Sequence, residues 1–153
     1  MKKLSSIFFI LLLIKVETIF SQNIFFQKYR DLDFGDVFIG YSAIVRDTDP
    51  TALKISFFHN SPTRENFLIT FILPTNLTNG TDNIPINFSG YASWSKVDAI
   101  TGRTYFNPYS PLQIRKIKAN QKIYMWLGGQ ITSSSSITPG LYTGNIIITI
   151  EVF

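Results

Sequence analysis

Residues 139–153 read PGLYTGNIIITIEVF, and the fold class turns on how this stretch alternates. Every second residue from Tyr142 gives Tyr142, Gly144, Ile146, Ile148, Ile150 and Val152; the other parity gives Ile147, Thr149, Glu151 and Phe153. Successive side chains of a strand point to opposite faces, so this is a strand with one buried apolar face and one partly wet face. Ile146, Ile148, Ile150 and Val152 are β-branched and suit a pleated, packed surface. Pro139-Gly140 marks a turn just upstream. A strand this apolar must be paired inside a sheet, because left unpaired it is a template for aggregation. The rest of the chain is therefore expected to build a sandwich around it. Gly140, Tyr142, Gly144, Ile146, Ile148, Ile150 and Val152 form the expected terminal strand, the part on which any assembly would turn.

Further strands precede it. Residues 52–58 place Leu53, Ile55 and Phe57 on one side, and residues 67–73 do the same with Phe67, Ile69, Phe71 and Leu73. Ile84, Ile86 and Phe88 align, as do Leu112 and Ile114, and residues 123–127 follow before Gly128-Gly129. Residues 32–39 read as a strand bent at Gly35, and residues 42–46 as a short one. Residues 23–30 (NIFFQKYR) mix their parities and read as an edge strand or an extended arm. Asp47-Thr48-Asp49-Pro50 is a turn. Residues 76–83 and 90–111 read as connections, and residues 130–138, with four serines in a row, as a flexible loop or a weak hairpin. No helical period of useful length occurs. The expectation is one domain over residues 22–153, an all-β, immunoglobulin-like antiparallel β-sandwich of about seven to nine short strands.

Composition agrees. Of 153 residues, 45% are apolar and 16% charged, which excludes a disordered chain. Fourteen Phe and seven Tyr favour strands over helices. Residues 1–21 look like a secretory signal peptide: Lys2 and Lys3, then an unbroken apolar run from Ile7 to Ile14, then Lys15 and Glu17. That run is far shorter than the roughly 20 residues a membrane span needs. Cleavage before Gln22 would leave an exported chain, secreted, periplasmic or held at the cell surface, with no stable membrane span. Setting aside Lys2, Lys3, Lys15 and Glu17 leaves 11 basic and 9 acidic residues, too even a balance to argue for nucleic acid. There is no cysteine, so no disulfide, thiol nucleophile or zinc–cysteine site.

Taken together, several motifs resemble a family. Leu32-Asp33-Phe34-Gly35 is similar to its opening signature, residues 52–57 and 67–77 to its central strands, and Leu127-Gly128-Gly129 with Gly140-x-Tyr142-x-Gly144 to its closing one. The family is a group of secreted bacterial domains of unknown function, related in pattern to spore coat protein U and to fimbrial subunits. The resemblance spans most of residues 32–153. It implies a structural, surface-exposed role and no catalytic residue. The chain departs from chaperone-dependent pilins in lacking a cysteine pair and in ending on Val152-Phe153. Residues 23–30 also make a poor strand to donate to a neighbour. One parity gives Ile24, Phe26, Lys28 and Arg30, the other Phe25, Gln27, Tyr29 and Asp31, so the chain is expected to fold without a donated strand.

Chemistry has few places to reside. His59, the single histidine, stands near Ser61, but no G-x-S-x-G elbow accompanies them, and a strand-end residue is the plainer reading. Asp31, Asp33 and Asp36 lack the further oxygen ligands of a calcium loop. No catalytic residue, metal or cofactor is expected. Tyr91, Trp94, Tyr105 and Tyr109 could stack on sugars or cap one end of the sandwich. Arg115, Lys116, Lys118 and Lys122 could bind an acidic polysaccharide or merely guard a solvated edge. Two functions follow: a non-enzymatic structural or adhesive subunit of the cell surface, partnered by other surface proteins or by copies of itself, or a stand-alone carbohydrate-binding module that takes polysaccharide.

Overall fold

The computed structural model describes residues 24–153; the expected signal peptide and its cleavage point lie outside them. Among the described residues there are twelve strands and no helix. In chain order they are β1 (Ile24–Arg30), β2 (Ser42–Val45), β3 (Leu53–His59), β4 (Glu65–Ile72), β5 (Asn76–Thr78), β6 (Asn83–Asn87), β7 (Ala92–Ser95), β8 (Thr104–Tyr105), β9 (Leu112–Ile117), β10 (Ile123–Leu127), β11 (Gly129–Thr132) and β12 (Ile147–Val152). They form three antiparallel sheets, ordered β1-β3-β10-β7-β8, β2-β11-β6-β5 and β12-β4-β9. The bridge Thr78–Thr143 ties the second sheet to the segment that leads into β12. The fold is an all-β sandwich around one core cluster drawn from all three sheets.

Alternation builds that core. Leu53, Ile55 and Phe57 of β3, Phe67, Ile69 and Phe71 of β4, and Ile123, Met125 and Leu127 of β10 are all buried. Each such side chain contributes roughly 1.5–3 kcal/mol by leaving water. In β9, Ile114 and Ile117 are both buried although three positions apart. Lys116 explains it. It sits between them at φ 57°, and its N–H donates to Asn66 Oδ1 at 3.0 Å. Glu65 and Phe67 of β4 face Ile117 and Ile114, so β9 carries one extra residue as a bulge.

Two ends can be distinguished. At the lower end β3 finishes at His59, β4 begins, and the β9–β10 turn closes over them through the Asn120 N–H and the His59 carbonyl, 2.7 Å apart. At the upper end the chain passes from the first sheet into the second at Gly128-Gly129, between β10 and β11. A methyl on Gly128 would lie 2.0 Å from the Val45 carbonyl oxygen, so only glycine allows this crossing.

The structure differs from the sequence reading in several places. The strands exceed nine because β5, β7, β8 and β11 lie wholly or mostly within stretches read as connections, each only two to four residues long. Too short to show a period, they exist because a neighbour pairs with them. Residues 32–39 form no strand; Gly35 sits at φ 62° in an extended loop. The terminal strand covers Ile147–Val152 rather than beginning at Tyr142, and it is an edge of its sheet. Its inward residues Ile148, Ile150 and Val152, and Ile146 just before it, are therefore half-buried, not fully buried, although all pack against the core. Gly140 lies outside it, exposed beside Asn79.

Candidate functional site

The sandwich is open on one side of its upper half. A groove of about 1210 Å³ runs between β1, the edge of the first sheet, and the approach to β12, the edge of the third. Its floor is made by Leu53, Ile55, Ile84, Ile86 and Ile131, all buried. Phe26 hangs into it from β1, 52% exposed despite belonging to the inward row. Ile146, Ile147 and Ile148 form the opposite wall. The loop of residues 31–37 and the segment of residues 137–144 make the rims. Gly144 lets the second rim close down, since a methyl there would meet Leu77 Cδ2 at 2.9 Å.

The two edges are not equivalent. β1 carries Lys28 on its inward row, opposite Ile55, and its register with β3 slips between Lys28 and Arg30, which comes to lie opposite Lys54. Charges and irregularities of this kind discourage an incoming strand. β12 has neither on that parity, and its register with β4 is unbroken from Ile147 to Val152. Phe153 donates its N–H to the Asn66 carbonyl at 3.1 Å, so it points toward β4. Hydrogen bonding alternates along an antiparallel strand. The backbone groups of Ile147, Thr149 and Glu151 therefore also face β4, and those of Ile148, Ile150 and Val152 face away. No other strand pairs with β12 among the described residues.

The rim of residues 31–37 is acidic. Asp31, Asp33 and Asp36 line the groove with Lys28 as their cationic neighbour. Lys28 Nζ lies 2.8 Å from Asp31 Oδ1, and Asp33 Oδ1 accepts the Gly35 N–H at 2.8 Å. On the other rim the hydroxyl and N–H of Thr138 both donate to Asp82 Oδ2. The Thr138 hydroxyl, then its backbone N–H, holds the Asp82 carboxyl below its ordinary value.

The aromatic residues singled out from the sequence do not form one platform. Trp94 pairs with Thr104 and Tyr105 with Ser93, so Trp94 and Tyr105 lie on opposite faces of the first sheet. Trp94 packs on the core while Tyr105 is exposed. The Tyr91 hydroxyl donates to Gln130. The Tyr109 hydroxyl accepts the Phe88 N–H at 3.0 Å and donates to Asn87. Of the basic set, Arg115 reaches over the Phe153 ring, 5.9 Å from its centre, while Lys116, Lys118 and Lys122 are exposed around the lower turn.

An aromatic row that sequence reasoning passed over lies on the outer face of the first sheet. Lys54 Nζ stands 4.8 Å from the Tyr29 ring centre and 5.7 Å from that of Tyr124. Tyr124 stacks on Trp126, and the Arg103 guanidinium covers Trp126 at 3.6 Å. Arg103 also pairs with buried Asp47, which accepts the Ser93 hydroxyl. Phe25 and Phe58 stack at 4.8 Å in the same face. The available signal was the second parity of β1, β3 and β10, aromatic or cationic in each.

His59 is wholly buried. Its Nε2 lies 3.0 Å from the Ile117 carbonyl, to which it donates, and Nδ1 has no hydrogen-bond partner among the described residues. The Ser61 hydroxyl donates to Glu65, as does that of Thr63. The Thr63 hydroxyl, then that of Ser61, holds the Glu65 carboxyl below its ordinary value. His59 and Ser61 thus share no hydrogen bond. Among the described residues no three His, Asp or Glu side chains gather as a metal site, and no helix is long and apolar enough to cross a membrane. Set against known proteins, the chain matches no family model and no curated protein.

Proposed function

We propose that this protein is a non-enzymatic structural or adhesive subunit of the cell surface, fimbrial-like in role, exported by its leader and partnered by other surface proteins. The observation that carries this reading is the open side of the sandwich. It pairs an apolar floor with an unguarded strand edge, a combination suited to holding another polypeptide. The groove offers hydrophobic surface and backbone hydrogen bonds. Protease treatment of intact cells should remove the protein, and replacing Leu12 and Leu13 with Asp should keep it inside at full length. Resistance to protease on intact cells, or unchanged export of the variant, overturns the reading.

A second reading is favoured by one feature, the outer row of Tyr29, Tyr124, Phe25 and Phe58 beside Lys54. Flat aromatic surface with hydroxyl and cationic neighbours suits the apolar face of a sugar ring. A glycan array separates the two: selective sugar binding, lost in Tyr29→Ala and Tyr124→Ala, favours the carbohydrate-binding module.

A further inference from the structure

We propose that the outer face of the second sheet binds an uncharged, hydroxyl-rich polysaccharide at the side-chain amides of Asn87 and Gln130, flanked by Tyr109 and Tyr91. This rests on the carbohydrate reading, but it places the site on a different face from the row of Tyr29 and Tyr124 and names the class of sugar.

The composition of the strands comes first. β2, β11, β6 and β5 read SAIV, GQIT, NIPIN and NLT, without a charged residue. The strands of the first sheet carry Lys28, Arg30 and Lys54, and those of the third carry Glu65, Arg115, Lys116 and Glu151. Ile84, Ile86 and Ile131 turn into the core, so the alternate residues turn outward. That outward row presents Asn76, Thr78, Asn83, Asn87, Gln130 and Thr132, side chains that both donate and accept hydrogen bonds. Arg46 and Asp82 stand beyond the strand ends. Soluble surfaces ordinarily intersperse charges of both signs. This face keeps hydrogen-bonding capacity and leaves charge out, so its electrostatic complement is an uncharged partner.

Within the face one pair is set to donate. Gln130 lies directly opposite Asn87 on the neighbouring strand, which starts the two side chains about 5 Å apart. Asn87 Oδ1 accepts the Ser89 N–H at 3.0 Å and the Tyr109 hydroxyl at 3.2 Å. Gln130 Oε1 accepts the Tyr91 hydroxyl at 3.4 Å. Both amide oxygens are thus engaged, while Asn87 Nδ2 and Gln130 Nε2 have no partner among the described residues. The Phe88 N–H donates to the Tyr109 hydroxyl and fixes the ring, which stays 53% exposed. Two oriented donors beside a fixed ring match a sugar: the donors meet hydroxyl oxygens and the ring covers the apolar C–H face. Asn83, Thr78 and Thr132 continue the same chemistry along the sheet, which suits a chain of sugars. A carboxylated polysaccharide would find no cation on these strands. A protein partner would find only Ile44 and Pro85 as apolar anchors in the outward row, too little for the core of an interface.

The test is native electrophoresis of the purified protein through gels containing dextran, mannan or xyloglucan, with alginate as the carboxylated control. Each mobility is referred to the same gel without polysaccharide. Retardation is expected in an uncharged gel and not in alginate. Asn87→Asp and Gln130→Glu decide the site, because each keeps the accepting oxygen and its tyrosine contact but replaces the donor with a carboxylate. Each should weaken binding about three- to tenfold. Both should melt with the parent, since neither side chain is buried. Tyr29→Ala should bind as the parent does. Parent-like binding by both amide variants overturns the proposal, as does retardation in alginate alone. Loss of binding in Tyr29→Ala, with none in the amide variants, also overturns it and leaves the carbohydrate reading standing on the first sheet. No retardation in any gel removes both.

Discussion

The two ends of the sandwich solve the same problem differently. At the lower end Phe57, Phe67, Ile117, Ile123 and His59 are all 0% exposed, and the β9–β10 turn seals them from below. At the upper end equally apolar residues, Phe34, Ile146 and Ile148, stand around a groove and stay partly in water. Hydrophobic content does not separate the two regions. What lies alongside does: β3, β4 and β10 each have a strand on both sides and the β9–β10 turn closes over the end of the edge strand β9, whereas β1 and β12 each have one neighbour beside the groove. Fully buried packing is concentrated below, and half-exposed apolar surface above.

The largest effect should come from breaking the sealed end. Phe67→Ala removes a ring packed edge-on against Phe57 at 5.2 Å and should cost about 3–5 kcal/mol. Phe26→Ala in the groove should cost less than about 1 kcal/mol, as partly exposed positions do. Equal shifts in a denaturant melt would show that the ends do not differ in packing.

The seam between the ends comes next. Gly128→Ala forces a methyl against the Val45 carbonyl and should cost about 1–3 kcal/mol or more, because the backbone itself must shift. A neutral result would mean that the crossing is looser than its geometry. Ile148→Asp places a charge in the half-buried inward row and should cost about 1–2 kcal/mol, with Thr149→Asp within about 0.5 kcal/mol of the parent. If Ile148→Asp unfolds the protein outright, the upper end is sealed in solution. If the two variants melt alike, the wrong face of β12 has been taken as inward.

The smallest effect is a matter of pH. The Glu65 carboxyl is held below its ordinary value of 4.5 in the folded protein by the Thr63 and Ser61 hydroxyls, so this contribution is complete above 4.5 and fades as pH falls through the lower folded value. Asp82, held below 3.8 by Thr138, behaves likewise at the groove rim. Glu65→Gln and Asp82→Asn should each flatten part of the loss of stability in acid. An acid melting profile identical to the parent's in either variant would show that those hydroxyl contacts are not kept.

Much of the sandwich is legible in the chain because strand periodicity is a local property. Residues 53–57 and 67–71 set a row of apolar residues on one face, residues 123–127 are an unbroken apolar run, and each is a strand in the core. The misreadings share a cause. β5, β8 and β11 are too short to carry a period, and Thr104 and Tyr105 become a strand only because Ser93 and Trp94 lie alongside. Lys116 shows no bulge until Asn66 is set beside it. The candidate site was less legible still. Tyr91, Trp94, Tyr105 and Tyr109 are close in sequence but are divided among different faces and contacts by the pleat and the turns. Phe26 and Ile148, far apart in the chain, line one groove.

What the sequence by itself determined is the alternation: which residues turn inward on β3, β4 and β12, and hence that the chain is all-β. It also contained the acidic run of Asp31, Asp33 and Asp36 without saying what that run would face. Tertiary structure alone decided which strands are edges. Residues 147–152 are apolar enough to lie in the middle of a sheet, yet β4 covers one side of them and nothing described covers the other. The reason is physical. A residue's own side chain sets the face it presents, but its exposure depends on what pairs beside it, and that pairing is a contact between segments distant in the chain.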